Sequence, residues 1–313
     1  MGQWSHRHLV DLQNLSKEDI EIIFETANSF KEVSTRDVKK VPTLRGKSVI
    51  CLFFEPSTRT RVSFELAAKR LSADTINVSG SSSSLSKGET VLDTAKNLEA
   101  MNVDILIVRH GSAGIPKVLA DNCNASIVNA GDGMRAHPSQ ALLDMYTIKE
   151  KFGKIEGLHV GILGDILHSR VARSNIIGLL KMGAKVTVFG PKTLLPKGIE
   201  SYGVDVASSV DDLISKVDVL MLLRLQQERQ KEKFLPSIRE YSTIFGVNSE
   251  RLKSAKKDIL IMHPGPTNRG VELSASVADG SHSVILNQVT NGIAIRMAIL
   301  YLISTIRDGN VRK

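Results

Sequence analysis

The sequence predicts an α/β fold made of two doubly wound parallel sheets linked by helices. Three observations carry this expectation. Short continuous apolar runs alternate with amphipathic segments along the chain, the pattern of strands buried on both faces with a helix after each. The alternation falls into two series that divide near residues 140 to 152, where the chain reads as a connecting helix. The length of 313 residues is a chain of about two domains, enough to bury a sizeable core.

In chain order, LSKEDIEIIFETANSFK opens with Ser16 as an N-cap and has apolar residues at helical spacing. KSVICLFF is a buried strand, and VSFELAAKRL puts Phe64, Ala67, Ala68 and Leu71 on one helix face. TVLDTAKNLEAM is a helix, DILIVRH and ASIVNA are strands with a helix between them, and QALLDMYTIKEKFG is a helix ending at Gly153. The second series starts with the strand HVGILGD and the helix SRVARSNIIGLLKMG, closed by Gly183. It continues with the strand AKVTVFG, the helix VDDLISKV and the strands DVLMLLRL and DILIMHPGP. The tail VILNQVTNGIAIRMAILYLISTI is a long apolar-rich helix. SGSSSSLSKGE (79–89) reads either as a flexible linker or as a mobile arm whose lysine contacts a ligand.

No apolar stretch reaches the ~20 residues of a membrane-spanning helix, and the polar N-terminus lacks the apolar centre of a signal peptide. Two cysteines, Cys51 and Cys123, make no disulfide framework and suit a reducing cytoplasm. The formal net charge of +8 admits nucleic-acid binding, a lysine-rich solvated surface, or a cleft that focuses small anions. The basic residues are dispersed, with KSAKKD the densest cluster, and aromatics for base stacking are few.

The motifs point to the third reading for the arginines. FFEPSTRTRVSFE (53–65) packs Ser57, Thr58, Arg59, Thr60 and Arg61 into one strand-to-helix junction. A helix N-terminus offers free N–H groups and partial positive charge, and one arginine can fork onto a phosphate. A Ser-capped helix with solvated arginines is the alternative; the density of donors favours the anion. Arg109 and His110 end another strand. NAGDGMRAHPSQALLD (129–144) follows a third, with His137 and Gln140 entering a helix. The second series repeats the theme with Asp165, His168 and Arg170, then Arg224 and Gln226, then Pro264, Gly265, Pro266 and Arg269. Ligands of open α/β sheets bind outside the carboxyl ends of strands, so arginine at several strand ends suits a ligand with several negative charges. GILGDI lacks the full dinucleotide fingerprint, no phosphate-binding Walker sequence or His-Glu-x-x-His occurs, and His6 with His8 has no third ligand. Anion binding remains, with no evident nucleophile, metal or redox cofactor.

These stretches, together with SKGET, VRH, GDILHSRVARS, LLRLQQER and MHPGPTNRG, resemble the aspartate/ornithine carbamoyltransferase family, in family order from about residue 50 to 300. The resemblance implies a carbamoyl-phosphate-binding domain over residues 1–145, with the C-terminal helix 292–313 packing back on it. It implies an aspartate-binding domain over 146–291. His263-Pro264-Gly265-Pro266 stands where the ornithine branch has His-Cys-Leu-Pro, and Lys87 marks a loop which that branch lacks. Both differences favour aspartate, and Arg170 and Arg224 suit a substrate with two carboxylates. The implied reaction transfers the carbamoyl group of carbamoyl phosphate to L-aspartate, giving N-carbamoyl-L-aspartate and phosphate, early in pyrimidine biosynthesis.

By resemblance Ser57, Thr58, Arg59 and Thr60 hold the phosphate, and Arg109, His137 and Gln140 surround the carbamoyl group. Arg59, Thr60, Lys87, Arg109 and His137 form the catalytic set. Lys87, Arg170, Arg224 and Gln226 hold aspartate, and backbone carbonyls of Gly265 and Pro266, beside the carbamoyl phosphate, orient its amine. Many relatives have leucine where Gly265 stands. Ser83 and Lys87 would come from a neighbouring subunit, which implies a homotrimer that can join regulatory chains or dihydroorotase. No metal, cofactor, nucleic acid or membrane is implied. A catalytically dead assembly subunit is the competing reading, disfavoured by intact Arg59, Lys87, Arg109 and His137. A basic nucleic-acid binder is the other reading from a different class, and within the enzyme class carbamoylation of ornithine or another amino acid is the runner-up.

Overall fold

The computed structural model describes residues 3–80, 88–226 and 237–311, with side chains through residue 306. The chain divides into two compact units, Met1–Leu142 with Thr290–Lys313, and Leu143–Val289.

The first unit opens with α1 (Lys17–Val33), where Ser16 and Asp19 form a reciprocal capping box. Its sheet contains β1 (Ser48–Phe53), β2 (Asp74–Ser79), β3 (Ile105–His110) and β4 (Ser126–Asp132), all parallel, in the order β2-β1-β3-β4. The connecting helices are α2 (Thr58–Arg70), α3 (Val91–Ala100) and α4 (Ile115–Asn122). β1 and β3 are almost wholly buried, because helices cover both faces of a parallel sheet. Ile50, Leu52, Leu106, Val108 and Ile127 pack against Ala95 and Leu119 of α3 and α4. Full burial of each such branched side chain contributes about 1.5–3 kcal/mol. The expected face of α2 is buried at Phe64, Ala67 and Ala68. β2 was not anticipated from the sequence. It lies at the sheet edge with a half-exposed pattern, so it has no continuous apolar run to reveal it.

The second unit contains β5 (His159–Leu163), β6 (Lys185–Phe189), β7 (Asp205–Val206), β8 (Val219–Leu222) and β9 (Leu260–Met262). They are parallel in the order β7-β6-β5-β8-β9. Helices α6 (Arg170–Lys181), α7 (Val210–Lys216) and α8 (Ile238–Phe245) connect them, α9 (Ala275–Ala278) follows β9, and α5 (Pro138–Phe152) precedes β5. Leu220, Leu222 and Ile261 of the sheet pack against Leu213, Ile214 and Val217.

The last helix, α10 (Ile285–Val311), runs into the first unit. Lys31 Nζ donates to Asn291 Oδ1 at 3.1 Å, Tyr301 meets Phe30 edge to face, and the Arg296 guanidinium lies 5.0 Å from the Phe64 ring centre. One expectation is corrected here: Ile285–Ile306 is long and apolar enough to cross a membrane. Its apolarity has another cause, since 67% of its most apolar window is buried inside the fold.

The N-terminal segment extends the first sheet. The Leu9 N–H donates to the Ile127 carbonyl and the Asn129 N–H donates to the Leu9 carbonyl, both at 2.8 Å. His8 Nδ1 accepts from the Ile127 N–H at 3.1 Å. Burial, helped by the neighbouring Arg7 cation, lowers His8 from 6.5 to about 4. A histidine depressed on docking binds its proton more readily when released. Stability from this contact is therefore present above pH 6.5 and lost as pH falls towards 4. Amide exchange at Leu9 and Asn129 is expected to accelerate over that window, and His8→Asn, which keeps an acceptor without a titrating proton, is expected to flatten the dependence.

Candidate active site

In the first sheet the order reverses at β1: β2 lies on one side and β3 on the other. Such a reversal opens a crevice above the strand ends, because the helices leaving neighbouring strands depart to opposite faces. The expected residues of this unit gather there. Phe53 at the end of β1 is in register with Arg109 on β3, and His110 is in register with Asp132 at the end of β4. Ser57, Thr58, Arg59 and Thr60 follow β1 as the N-cap and first turn of α2. Ser57 makes no side-chain capping bond, so its hydroxyl does not occupy the helix's own N–H groups. Thr58 and Arg59 are exposed, whereas Thr60 is buried beneath them.

Arg109 is nearly buried, with its Nε 3.0 Å from Glu55 Oε2 and Nη1 donating to the Ala130 carbonyl at 3.2 Å. The carboxylate and the carbonyl fix the guanidinium in place. Glu55 was missed in the sequence reading, although it is the acid inside the phosphate motif itself. His110 is turned to structure: its Nδ1 accepts from the Ser112 N–H at 2.8 Å, and its ring packs edge to face on Phe54.

His137 is buried immediately before α5, and its carbonyl accepts from the N–H groups of Gln140 and Ala141. The turn that delivers it is anchored by Asp132, fully buried, which accepts from the N–H groups of Gly114 and Ala136 and from the Asn129 amide at 2.9–3.0 Å. The first unit thus brings Ser57, Thr58, Arg59, Thr60, Arg109, His137 and Gln140 to the ends of three adjacent strands. Ser83 and Lys87 lie outside the described residues.

The second sheet reverses at β5, between β6 and β8. Arg170 is the first residue of α6 and buried; Arg224 and Gln226 follow β8. One carboxylate joins the two exits. Asp165, fully buried, accepts from the His168 N–H at 3.1 Å, pairs with His168 Nδ1 at 2.9 Å, and lies 3.4 Å from the Gln226 N–H. Gly164 permits this approach. Its φ is +132°, and a Cβ there would lie 2.7 Å from the Leu223 carbonyl oxygen, so only glycine fits. Burial, and behind it the Glu272 and Asp165 carboxylates, push the Tyr241 phenol above its ordinary range. Gly265 and Pro266 follow β9. Arg269 stands apart from these strand ends' buried polar groups: it is exposed and forks onto Asp279.

Both halves of the chain resemble known proteins. Residues 7–150 match the aspartate/ornithine carbamoyltransferase carbamoyl-phosphate-binding domain, and residues 156–303 match the Asp/Orn-binding domain of that family. The aspartate carbamoyltransferase catalytic subunit of Syntrophotalea carbinolica is 59% identical over 301 residues, 96% of each chain. The fold is similar to aspartate transcarbamoylase from Trypanosoma cruzi in complex with N-(phosphonacetyl)-L-aspartic acid, with a TM-score of 0.86 and 30% identity over 95% of this chain and 96% of that one. It is nearly as similar to ornithine carbamoyltransferase from Pyrococcus furiosus, with a TM-score of 0.84 and 31% identity over 96% and 98% of the two chains. Matched in both halves, and over nearly all of its length by a close relative, the chain belongs to the aspartate/ornithine carbamoyltransferase family.

Proposed function

We propose an assignment of this chain's side chains to the reaction it performs. The chain binds carbamoyl phosphate and L-aspartate and transfers the carbamoyl group to the aspartate amine, releasing phosphate, a step of pyrimidine biosynthesis. Fold alone does not choose aspartate over ornithine, since solved structures of both kinds are similar to this one. The observation that supports the side-chain assignment is the pair of Arg170 and Arg224 at the exits of the adjacent strands β5 and β8. Two guanidinium groups suit two carboxylates; ornithine would bring a second cation against them.

In this assignment the phosphate sits on the N-terminus of α2, held by Ser57, Thr58, Arg59 and Thr60. The neutral aspartate amine attacks the carbonyl carbon, and negative charge grows on the carbonyl oxygen. Arg109, His137 and the Thr58 hydroxyl donate to that oxygen, and their fixed positions are the source of the acceleration. Glu55 holds Arg109 in place at rest and competes with the substrate for it. Gln140 contacts the carbamoyl amide, and the carbonyls of Gly265 and Pro266 orient the attacking amine beside it. Arg59 and the helix terminus stabilise the departing phosphate, which accepts the amine proton. Holding two mutually repelling anions in contact is itself a large part of the work.

Ser83 and Lys87 complete the site from a neighbouring subunit of a cyclic trimer. Support comes from the edge of the first sheet. β2 is paired on one side only, and beside it Val62 and Leu66 of α2 and Ile76 of β2 are exposed apolar residues. β2 ends at Ser79, where the serine-rich stretch begins in sequence. The two cysteines, both buried and free, accord with a cytoplasmic location.

Purified protein supplied with carbamoyl phosphate is expected to carbamoylate aspartate and leave ornithine unchanged. Arg224→Ala is expected to lower kcat/KM for aspartate by about 10²-fold or more, the loss of a charge-assisted contact of roughly 3 kcal/mol, with KM for carbamoyl phosphate little changed. Turnover of ornithine would overturn the assignment of Arg170, Arg224 and Gln226. Arg59→Ala and Lys87→Ala are each expected to be nearly inactive, yet mixing equal amounts after dissociation should restore about one quarter of wild-type activity. That fraction follows because random trimers rebuild one intact site in each hybrid; no recovery would mean the lysine serves its own subunit.

A further inference from the structure

Unit two contains a line of buried polar side chains that the reaction just described does not use. His263, Glu272, Gln288, Asp144 and Asn175 are all almost fully buried. Burying polar groups is costly unless they meet one another, and these do. The Gly265 N–H donates to His263 Nδ1 at 2.8 Å. His263 Nε2 lies 3.2 Å from Glu272 Oε1, off the line of a good hydrogen bond. The His263 N–H donates to Gln288 Oε1 at 3.0 Å, and Gln288 Nε2 donates to Asp144 Oδ1 at 2.8 Å. The other oxygen of Asp144 accepts from Asn175 Nδ2 at 2.9 Å, on the helix that begins with Arg170.

We propose that His263 is a positioning residue for the aspartate amine, acting through the backbone of Gly265 and Pro266. The proposal rests on the reading that the carbonyls of these two residues receive that amine. Nδ1 accepts a hydrogen bond, so the neutral ring carries its proton on Nε2, facing the Glu272 carboxylate. The ring is therefore fixed in one tautomer with its acceptor aimed at the loop. Gly265 has φ +70°, in the left-handed region, where a loop has little local preference to hold it. The imidazole supplies that hold. Gln288 and Asp144 then tie the loop to α6, so the two ends of aspartate, amine and carboxylate, are gripped by parts of one hydrogen-bonded assembly. Shared rigid support of this kind fixes geometry that packing alone leaves loose.

The test compares two amides that mimic opposite ends of the ring. His263→Asn places an acceptor where Nδ1 stands, and His263→Gln places its amide where Nε2 stands. The expected result is a KM for aspartate close to wild type in H263N and about tenfold higher in H263Q, with KM for carbamoyl phosphate and the melting temperature the same in both. Equal changes in the two variants, or none in either, would overturn the proposal. Gly265→Val strains the loop directly. If G265V raises KM for aspartate and H263Q does not, the His263 role falls and the carbonyl reading stands. If G265V leaves KM for aspartate unchanged, the carbonyl reading falls and this inference with it. Amide exchange in the wild-type protein requires no variant: the Gly265 N–H is expected to be protected, and exchange at the rate of an open loop would also overturn the clamp.

Discussion

Reversal of strand order is the constraint on which the rest of this structure depends. Right-handed crossovers send the chain to one face of the sheet when it winds one way and to the opposite face when it winds back. At the strand where direction changes, no connection covers the carboxyl end. β1 and β5 are those strands. The Ser-Thr-Arg-Thr turn leaves β1 and the Asp165–Arg170 turn leaves β5, so the groups proposed to bind anions stand where the topology leaves an opening.

An arginine aimed at a ligand must be held before the ligand arrives. Here carboxylates do the holding. Glu55 pairs with Arg109, and Asp165 fixes the turn that leads into Arg170. These acids lie within the same sequence stretches as the arginines, so each arginine's positive charge is partly balanced by a carboxylate close by. Arg269, exposed and forked onto Asp279, shows the contrast. An ion pair in water is worth little, and nothing near it is organised around its guanidinium.

Much of the fold was legible because buried parallel strands leave continuous apolar runs, as at residues 48–53 and 105–108, and because Ser16, Gly153 and Gly183 mark helix ends. β2 and β7 were not legible, since an edge strand half in water and a strand of two residues lack that signal. Among site residues, arginine and histidine stood out as chemistry at strand ends. Their partners did not. Glu55 meets Arg109, and Asp144 meets Gln288, across long separations in sequence. Such pairings have no period for a sequence pattern to register. The long apolar tail reads as the helix that it is, but its composition alone does not separate a helix buried in a core from a helix in lipid.

The course of α10 has a consequence for how the protein is made. The first unit consists of Met1–Leu142 closed by Thr290–Lys313, while the second is continuous, Leu143–Val289. On the ribosome, the second unit can finish its core as soon as its own residues have emerged. The first, although translated earlier, lacks buried Ile295, Met297, Ile299 and Leu300 until the whole second unit has been translated. At about 5–20 residues per second, the apolar surface that awaits this helix stays open for roughly ten to thirty seconds, the interval in which a chaperone or a misplaced neighbour would find it.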